Sequence, residues 1–259
     1  MVELTEKLQN AVIKLAEAAG EAIMRIYEGP INVTVKSDDS PLTLADKAAH
    51  ALIVDGLLHL TPQWPVVSEE SDDIEKSRRL DAECFWLVDP LDGTKEFIKR
   101  NGEFTVNIAL IERGKSLFGV VHVPVTQVTY WGGEQLGAWR KSSDGVNPIH
   151  VVSPQTAHPL AVVGSRSHLN AETDAYLSKL GAYELVSVGS SLKFCLLAEG
   201  KAHLYPRLAP TAEWDTAAAQ AVLEGAGGVV ETLDGQPLRY GKQEILNPWF
   251  VARSYQAHL

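Results

Sequence analysis

Phe85-Trp86-Leu87-Val88-Asp89-Pro90-Leu91-Asp92-Gly93-Thr94-Lys95-Glu96-Phe97 is the stretch that organises this chain. Residues 84–88 read as an apolar strand that ends abruptly at Asp89-Pro90, because proline has no N–H to give a ladder. Asp92-Gly93 then turns the chain, and Thr94-Lys95-Glu96-Phe97 reads as a helix start. Two carboxylates three residues apart around a tight turn can face one point. Mg²⁺ takes hard oxygen ligands and keeps several waters. The turn also puts the N–H groups of Gly93 and Thr94 at a helix N-terminus, where phosphate oxygens bind. A lone Asp-Gly is usually turn chemistry; the full hexapeptide favours a metal.

Three further acidic fragments stand around it. Ser68-Glu69-Glu70 follows the short apolar strand Val66-Val67. Glu69 and Asp89 both end apolar strands separated by a loop, so the two strands are candidates for neighbours in one sheet. Trp214-Asp215-Thr216-Ala217-Ala218 places Asp215 before an Ala-rich helical stretch, where it is a good N-cap. Thr43-Leu44-Ala45-Asp46 has the spacing of a capping box, so Asp46 has a purely structural use as well.

Outward from these, apolar Leu4, Leu8, Val12, Leu15, Ala19, Ile23 and Ile26 fall on one face of a helix over 3–28, stopped by Gly29-Pro30. A short strand over 33–36 and a loop over 37–41 lead to a second helix over 43–60. Residues 71–82 are charged and irregular and read as a surface loop. Strands at 104–111, 117–123, 127–131 and 136–140 read as an antiparallel meander. Residues 141–148 read as a linker. Beyond it strands at 161–164, 184–188, 203–205 and 228–232 alternate with helices near 170–180, 190–198 and 215–225. The order predicts an α+β half with an antiparallel sheet over 1–145, then an α/β half over 146–259.

The chain has 259 residues, 45% hydrophobic and 22% charged, as in an ordinary globular protein. Its 23 Lys and Arg against 33 Asp and Glu leave a net charge of −10. Such a chain is a poor non-specific binder of nucleic acid or of membrane surfaces. An anionic substrate would need metal cations or a local cluster of Lys and Arg. Cys84 and Cys195 sit among apolar neighbours and read as buried free thiols. The N-terminus lacks signal-peptide character and no apolar run approaches the roughly 18 residues of a membrane span, so a cytoplasmic protein is expected.

Glu-Glu, Asp-Pro-Leu-Asp-Gly-Thr-x-x-Phe and Trp-Asp-x-Ala-Ala, in this order, resemble the inositol monophosphatase superfamily of Mg²⁺-dependent, lithium-sensitive phosphatases. The resemblance covers essentially the whole chain. The stretch 85–107, Ser165-Arg166-Ser167-His168 and Gly189-Ser190-Ser191-Leu192-Lys193-Phe194-Cys195 are similar to its bacterial 3'(2'),5'-bisphosphate nucleotidases. The resemblance implies a layered αβαβα sugar-phosphatase fold and two or three Mg²⁺ ions held by Glu69, Asp89, the carbonyl of Leu91, Asp92 and Asp215. It implies that Thr94 and Asp46, with Glu69, activate the attacking water. The substrate would be met by Gly93, Thr94, Ser165, His168, Ser190, Lys193, Arg207 and Asp215.

Inositol-specific relatives carry an acidic residue in the segment before Trp-Asp, where this chain reads Leu204-Tyr205-Pro206-Arg207-Leu208, and a neutral one at Lys193. Two cations suit a second, non-reacting phosphate. The implied reaction is hydrolysis of adenosine 3',5'-bisphosphate to AMP and phosphate, with the sulfated precursor as a second substrate, in sulfate assimilation. An inositol-phosphate-type sugar phosphatase is the alternative, and a non-catalytic regulator is disfavoured by the intact acidic set. The partners expected are a small nucleotide and no nucleic acid or integral membrane segment, in a monomer. The expected location is cytoplasmic, or peripheral on the cytoplasmic side of the inner membrane.

Other phosphate chemistries lack their motifs. There is no Gly-x-x-x-x-Gly-Lys loop, and Gly225-Ala226-Gly227-Gly228 lies after a helix and before a strand, the wrong order for a dinucleotide fingerprint. Asp89 and Asp92 are one residue too far apart for the Asp-x-Asp of aspartyl-phosphate phosphatases, and no Cys/His cluster has zinc spacing.

Overall fold

A computed structural model describes residues 3–30, 33–35, 41–154, 159–164 and 170–254. The chain opens with α1 (Glu6–Tyr27), the two-stranded β1 (Val33–Val35) and β2 (Pro41–Thr43), and α2 (Leu44–Leu60). Next come β3 (Val66–Ser68), α3 (Asp73–Ser77), β4 (Cys84–Asp92) and α4 (Thr94–Ile98). The meander follows as β5 (Thr105–Glu112), β6 (Lys115–Val123), β7 (Val128–Gly133), β8 (Gly137–Ser142) and β9 (Gly145–Pro148). The remainder holds β10 (Leu160–Gly164), α5 (Ala171–Leu177), β11 (Tyr183–Ser187), α6 (Leu192–Ala198) and β12 (Leu204–Arg207). It closes with α7 (Ala217–Gly225), β13 (Val229–Thr232) and β14 (Phe250–Arg253).

Strands β3 to β9 form one sheet in sequence order, with β3 parallel to β4 and every later pair antiparallel. The second sheet has the order β11-β10-β12-β14-β13, parallel among β11, β10 and β12. Side chains alternate across a strand, and β4 uses both faces. Trp86 and Val88 join Val12, Ile23 and Ile53 of α1 and α2 in one core. Phe85 and Leu87 join Phe194 of α6, Ala218 and Val222 of α7, and Tyr205 and Phe250 of the second sheet. On the outer face of that sheet Val162, Leu204 and Val251 pack with Leu177 of α5. The layers are therefore helix, sheet, helix, sheet, helix. The middle layer is tight: a Cβ on Gly119 of β6 would meet the Ala218 carbonyl oxygen of α7 at 2.0 Å.

Four sequence expectations are corrected. The β4 strand does not end at Asp89-Pro90. The ladder is interrupted there by a bulge and resumes with Asp92 opposite Thr105. Residues 141–148 are not a linker but the β8–β9 hairpin, whose pairing satisfies a polar, Gly-containing stretch, so the boundary at 145/146 falls inside β9. Residues 71–82 contain α3 and a 3-10 turn, with Arg79 buried. Strand β14 was not foreseen, and it pairs between β12 and β13. The loop read over 37–41 lies, for 37–40, outside the described residues. No helix among the described residues is long and apolar enough to cross a membrane.

Candidate active site

The site grows from the irregular end of β4. Parallel pairing of β3 with β4 brings Glu69 beside Asp89, and the Glu69 N–H donates to the Val88 carbonyl at 3.0 Å. Asp89 is 1% exposed, and its Oδ1 accepts the Leu91 N–H at 3.1 Å across the proline. Burial, then the charges of Glu69, Asp92 and Asp215, push its carboxyl well above the usual range, and it shares a side-chain hydrogen bond with Glu69. Burial followed by Asp92 and Glu69 pushes Asp215 up to about 8.

Gly93 makes the next turn possible. Its φ is +94°, and a Cβ there would meet Ser190 Oγ at 2.3 Å. Thr94, at the start of α4, directs Oγ1 toward Asp46 Oδ1 at 3.3 Å and the Leu91 carbonyl at 3.4 Å. Asp46 is also a capping residue: its Oδ2 accepts from the N–H and hydroxyl of Thr43 at 2.7 and 2.6 Å. Asp46 thus caps α2 through Oδ2 and faces the Thr94 hydroxyl through Oδ1. Asp215 is not the N-cap of α7. That position is Thr216, and Asp215 closes the 3-10 turn Glu213–Asp215 by accepting the Ala212 N–H at 2.9 Å. The extra turn sets α7 two residues later than the Ala-rich sequence suggests.

One cation comes from the middle helix layer and one from the second sheet. Lys193 is buried near the start of α6, donates to the Ser190 carbonyl at 2.7 Å, and is pulled down to about 8 by burial. Arg207 ends β12 and donates to the Pro210 carbonyl at 2.8 Å. Ser190, in left-handed backbone with φ 50°, spends its hydroxyl on the carbonyls of Asp92 (2.9 Å) and Glu103 (2.6 Å). Asp92, Gly93, Ser190, Lys193, Arg207 and Asp215 line one cavity of about 130 Å³. Ser165 and His168 lie outside the described residues. A larger cavity of about 460 Å³, lined by Lys115, Gln220, Glu224 and Arg239, holds none of the predicted residues. In the smaller one two of the predicted acids, Asp92 and Asp215, meet both cations.

The donor set is carboxylate and carbonyl oxygen without sulfur, which suits Mg²⁺ rather than zinc. Among the described residues no three acidic, His or Cys side chains stand at mutual ligand spacing. Like charges repel, and the oxygens turn to protein donors instead: Asp92 Oδ2 takes the Ser191 N–H at 2.7 Å, and Asp215 and Asp46 take the N–H groups just given. Nevertheless three acids, Glu69, Asp92 and Asp215, act on one buried carboxyl, that of Asp89. Such a cluster requires cations to carry its charge at neutral pH. The sequence reading assigned no role to Ser191, Asn107 or Thr105, which surround Asp92. Their neighbourhood follows from β4–β5 register and loop packing, which no local spacing reveals.

The inositol monophosphatase family model matches residues 4–257. The 3'(2'),5'-bisphosphate nucleotidase CysQ of Escherichia coli (strain K12) is 52% identical over 249 residues, 95% of this chain and 99% of that protein. Its counterpart from Buchnera aphidicola is 44% identical, covering 95% and 93%. Among solved structures, CysQ from Bacteroides thetaiotaomicron superposes with a TM-score of 0.85 at 42% identity, over 98% of this chain and 99% of that one. The extragenic suppressor protein suhB from Bartonella henselae, at 23% identity and a TM-score of 0.78 over 96% and 94%, shares the fold.

Proposed function

The chain belongs to the inositol monophosphatase family, and from that membership we propose that it is a metal-dependent 3'(2'),5'-bisphosphate nucleotidase. It hydrolyses the 3'-phosphate of adenosine 3',5'-bisphosphate to give AMP and phosphate, and removes the same phosphate from the sulfated precursor. This clears a by-product of sulfonucleotide use. The metal is Mg²⁺, as two or three ions held by Glu69, Asp89, the Leu91 carbonyl, Asp92 and Asp215. When bound, the metal lowers the pKa of water and offsets charge on the leaving oxygen.

The chain's own groups do the rest. Thr94 donates its hydroxyl hydrogen bond to Asp46, so a lone pair of Oγ1 accepts from the attacking water and orients it. Glu69, beside Asp89, receives the water's proton. The N–H groups of Gly93 and Thr94 meet the scissile phosphate. Water's oxygen bonds to phosphorus as the bond from phosphorus to O3' breaks, and the released alkoxide takes a proton from solvent water. Lys193 and Arg207 hold the 5'-phosphate, which is not hydrolysed, while Ser165, Ser190 and His168 border the nucleotide.

The observation that carries this reading is one cavity lined by both Asp92 and Asp215 and by both Lys193 and Arg207. An inositol monophosphate has no second phosphate to use the two cations. Phosphate release from adenosine 3',5'-bisphosphate and from inositol 1-phosphate, each with and without Mg²⁺, tests it. Fast Mg²⁺-dependent release from the nucleotide alone is expected. Preference for inositol 1-phosphate, or release unaffected by chelation, overturns it.

A further inference from the structure

Ser191 has no part in the scheme above, yet it is where three elements of the site meet. It is 2% exposed. Its N–H donates to Asp92 Oδ2 at 2.7 Å, and its Oγ lies 3.0 Å from the same oxygen. That Oγ accepts from Asn107 Nδ2 at 2.9 Å and lies 2.9 Å from the backbone carbonyl of Asp215. A serine hydroxyl has one proton and two lone pairs. Asn107 fills a lone pair, and the proton serves Asp92 Oδ2 or the Asp215 carbonyl. One side chain therefore ties β4 and β5 of the first sheet to the 3-10 turn that carries Asp215.

The contacts of Asp92 are one-sided. Ser191 N, Ser191 Oγ, Asn107 Nδ2 at 3.4 Å and Thr105 Oγ1 at 3.5 Å all fall on Oδ2. None of the described hydrogen bonds falls on Oδ1. A carboxylate held by one oxygen offers the other in a fixed direction. Groups that orient a ligand from behind typically change metal affinity or activity by about 10- to 100-fold when removed.

We propose that Ser191 is a positioning residue for the metal centre. It holds Asp92 by Oδ2 so that Oδ1 is the donor oxygen, and it fixes Asp92 relative to the Asp215 turn so that carboxylates from the two halves of the chain act as one donor set. The inference rests on the metal-dependent reading above.

The test is a calorimetric Mg²⁺ titration of purified protein without substrate, alongside kinetics at varied Mg²⁺ and the metal-free melting temperature. Ser191→Ala is expected to raise the Mg²⁺ midpoint roughly tenfold, toward the weaker end of that range because the backbone N–H remains. KM for adenosine 3',5'-bisphosphate at saturating Mg²⁺ stays within about twofold. Ser191→Thr, which keeps the hydroxyl, restores most of the affinity. A folded Ser191→Ala protein with the wild-type midpoint, while the wild type binds Mg²⁺ and Asp92→Asn does not, overturns the role of Ser191 alone. A wild type with no saturable Mg²⁺ binding overturns the metal reading and this inference together. Should Ser191→Ala not purify folded, Ser191→Cys keeps the volume with a weak donor and carries the same expectation.

Discussion

Lys193 and Arg207 reach the same cavity with different constraints. Lys193 is buried and already committed to the Ser190 carbonyl, whereas Arg207 hydrogen-bonds the Pro210 carbonyl and the Tyr205 side chain and has further guanidinium N–H groups to offer. Arg207 should therefore carry more of the contact to the non-reacting phosphate. A charge-assisted contact is worth about 1.5–3 kcal/mol, or roughly 10- to 150-fold. Arg207→Ala should lower kcat/KM for adenosine 3',5'-bisphosphate by about that factor and leave 3'-AMP nearly unchanged. Equal losses on the two substrates would reject Arg207 as the anchor. The cation at 207 was legible in the sequence, but its acceptor and its company in the cavity were not, since both depend on where β12 ends relative to α6.

The joint between α1 and β6 carries a buried titratable group. A Cβ on Gly20 would meet His122 Nε2 at 2.4 Å, so the helix lies directly on the ring. Nδ1 is 2.9 Å from Thr129 Oγ1, which donates to Glu17 Oε1 at 3.1 Å, and Lys141 donates to the same oxygen at 2.8 Å. Because Thr129 gives its proton away, Nδ1 of the neutral ring donates to it. Burial holds the His122 pKa down to about 4, against 6.5 when exposed. Between those values the unfolded chain binds a proton that the folded one refuses, so stability falls as pH drops from 6.5 to 4. The full loss is about 3 kcal/mol. In thermal melts across that window, His122→Gln should show a flatter acid limb than the wild type; parallel curves would exclude His122 as the cause. The helix and the strand were both anticipated from periodicity, but their pairing was not, because a half-polar face does not say which element covers it.

Across the molecule, the two halves are joined by a buried ion pair as well as by the apolar middle layer. Glu213 is 0% exposed, with Oε2 3.8 Å from Arg79 Nε. It accepts the N–H groups of Gly241 and Lys242 at 2.9 and 3.0 Å and pairs with the Lys242 ammonium. Arg79 donates onward to the Lys242 carbonyl at 3.1 Å. The segment between β3 and β4 is thereby fastened to the 3-10 turn of Asp215. Removing one partner leaves Arg79 buried and uncompensated, at a cost of about 3–5 kcal/mol. Glu213→Ala should lower Tm by roughly 6–20 °C, taking about 2–4 °C per kcal/mol for a chain of this size. Glu213→Leu combined with Arg79→Met should recover part of the loss. A Glu213→Ala melt within about 2 °C of the wild type would show that the pair contributes nothing net.

The sequence alone determined what local chemistry determines. Hydrophobic period separated helices from strands, Gly-Pro and Asp-Gly marked stops and turns, and the hexapeptide with Glu69, Asp215 and Asp46 named the acids of the candidate site. It misread residues 71–82 and 141–148, because polar stretches look like loops until a partner strand or a buried carboxylate satisfies them. It also ended β4 at a proline that the sheet accommodates with a bulge. Only the tertiary structure decided that Ser191 and Asn107 hold Asp92, that Glu213 faces Arg79, and that Lys193 and Arg207 share a cavity with Asp92 and Asp215. Among them, Ser191 stands 99 positions from Asp92 and 84 from Asn107, and Glu213 stands more than 130 from Arg79. Their geometry is set by register between strands and by the depth to which helices settle, quantities that arise only when whole layers pack at once.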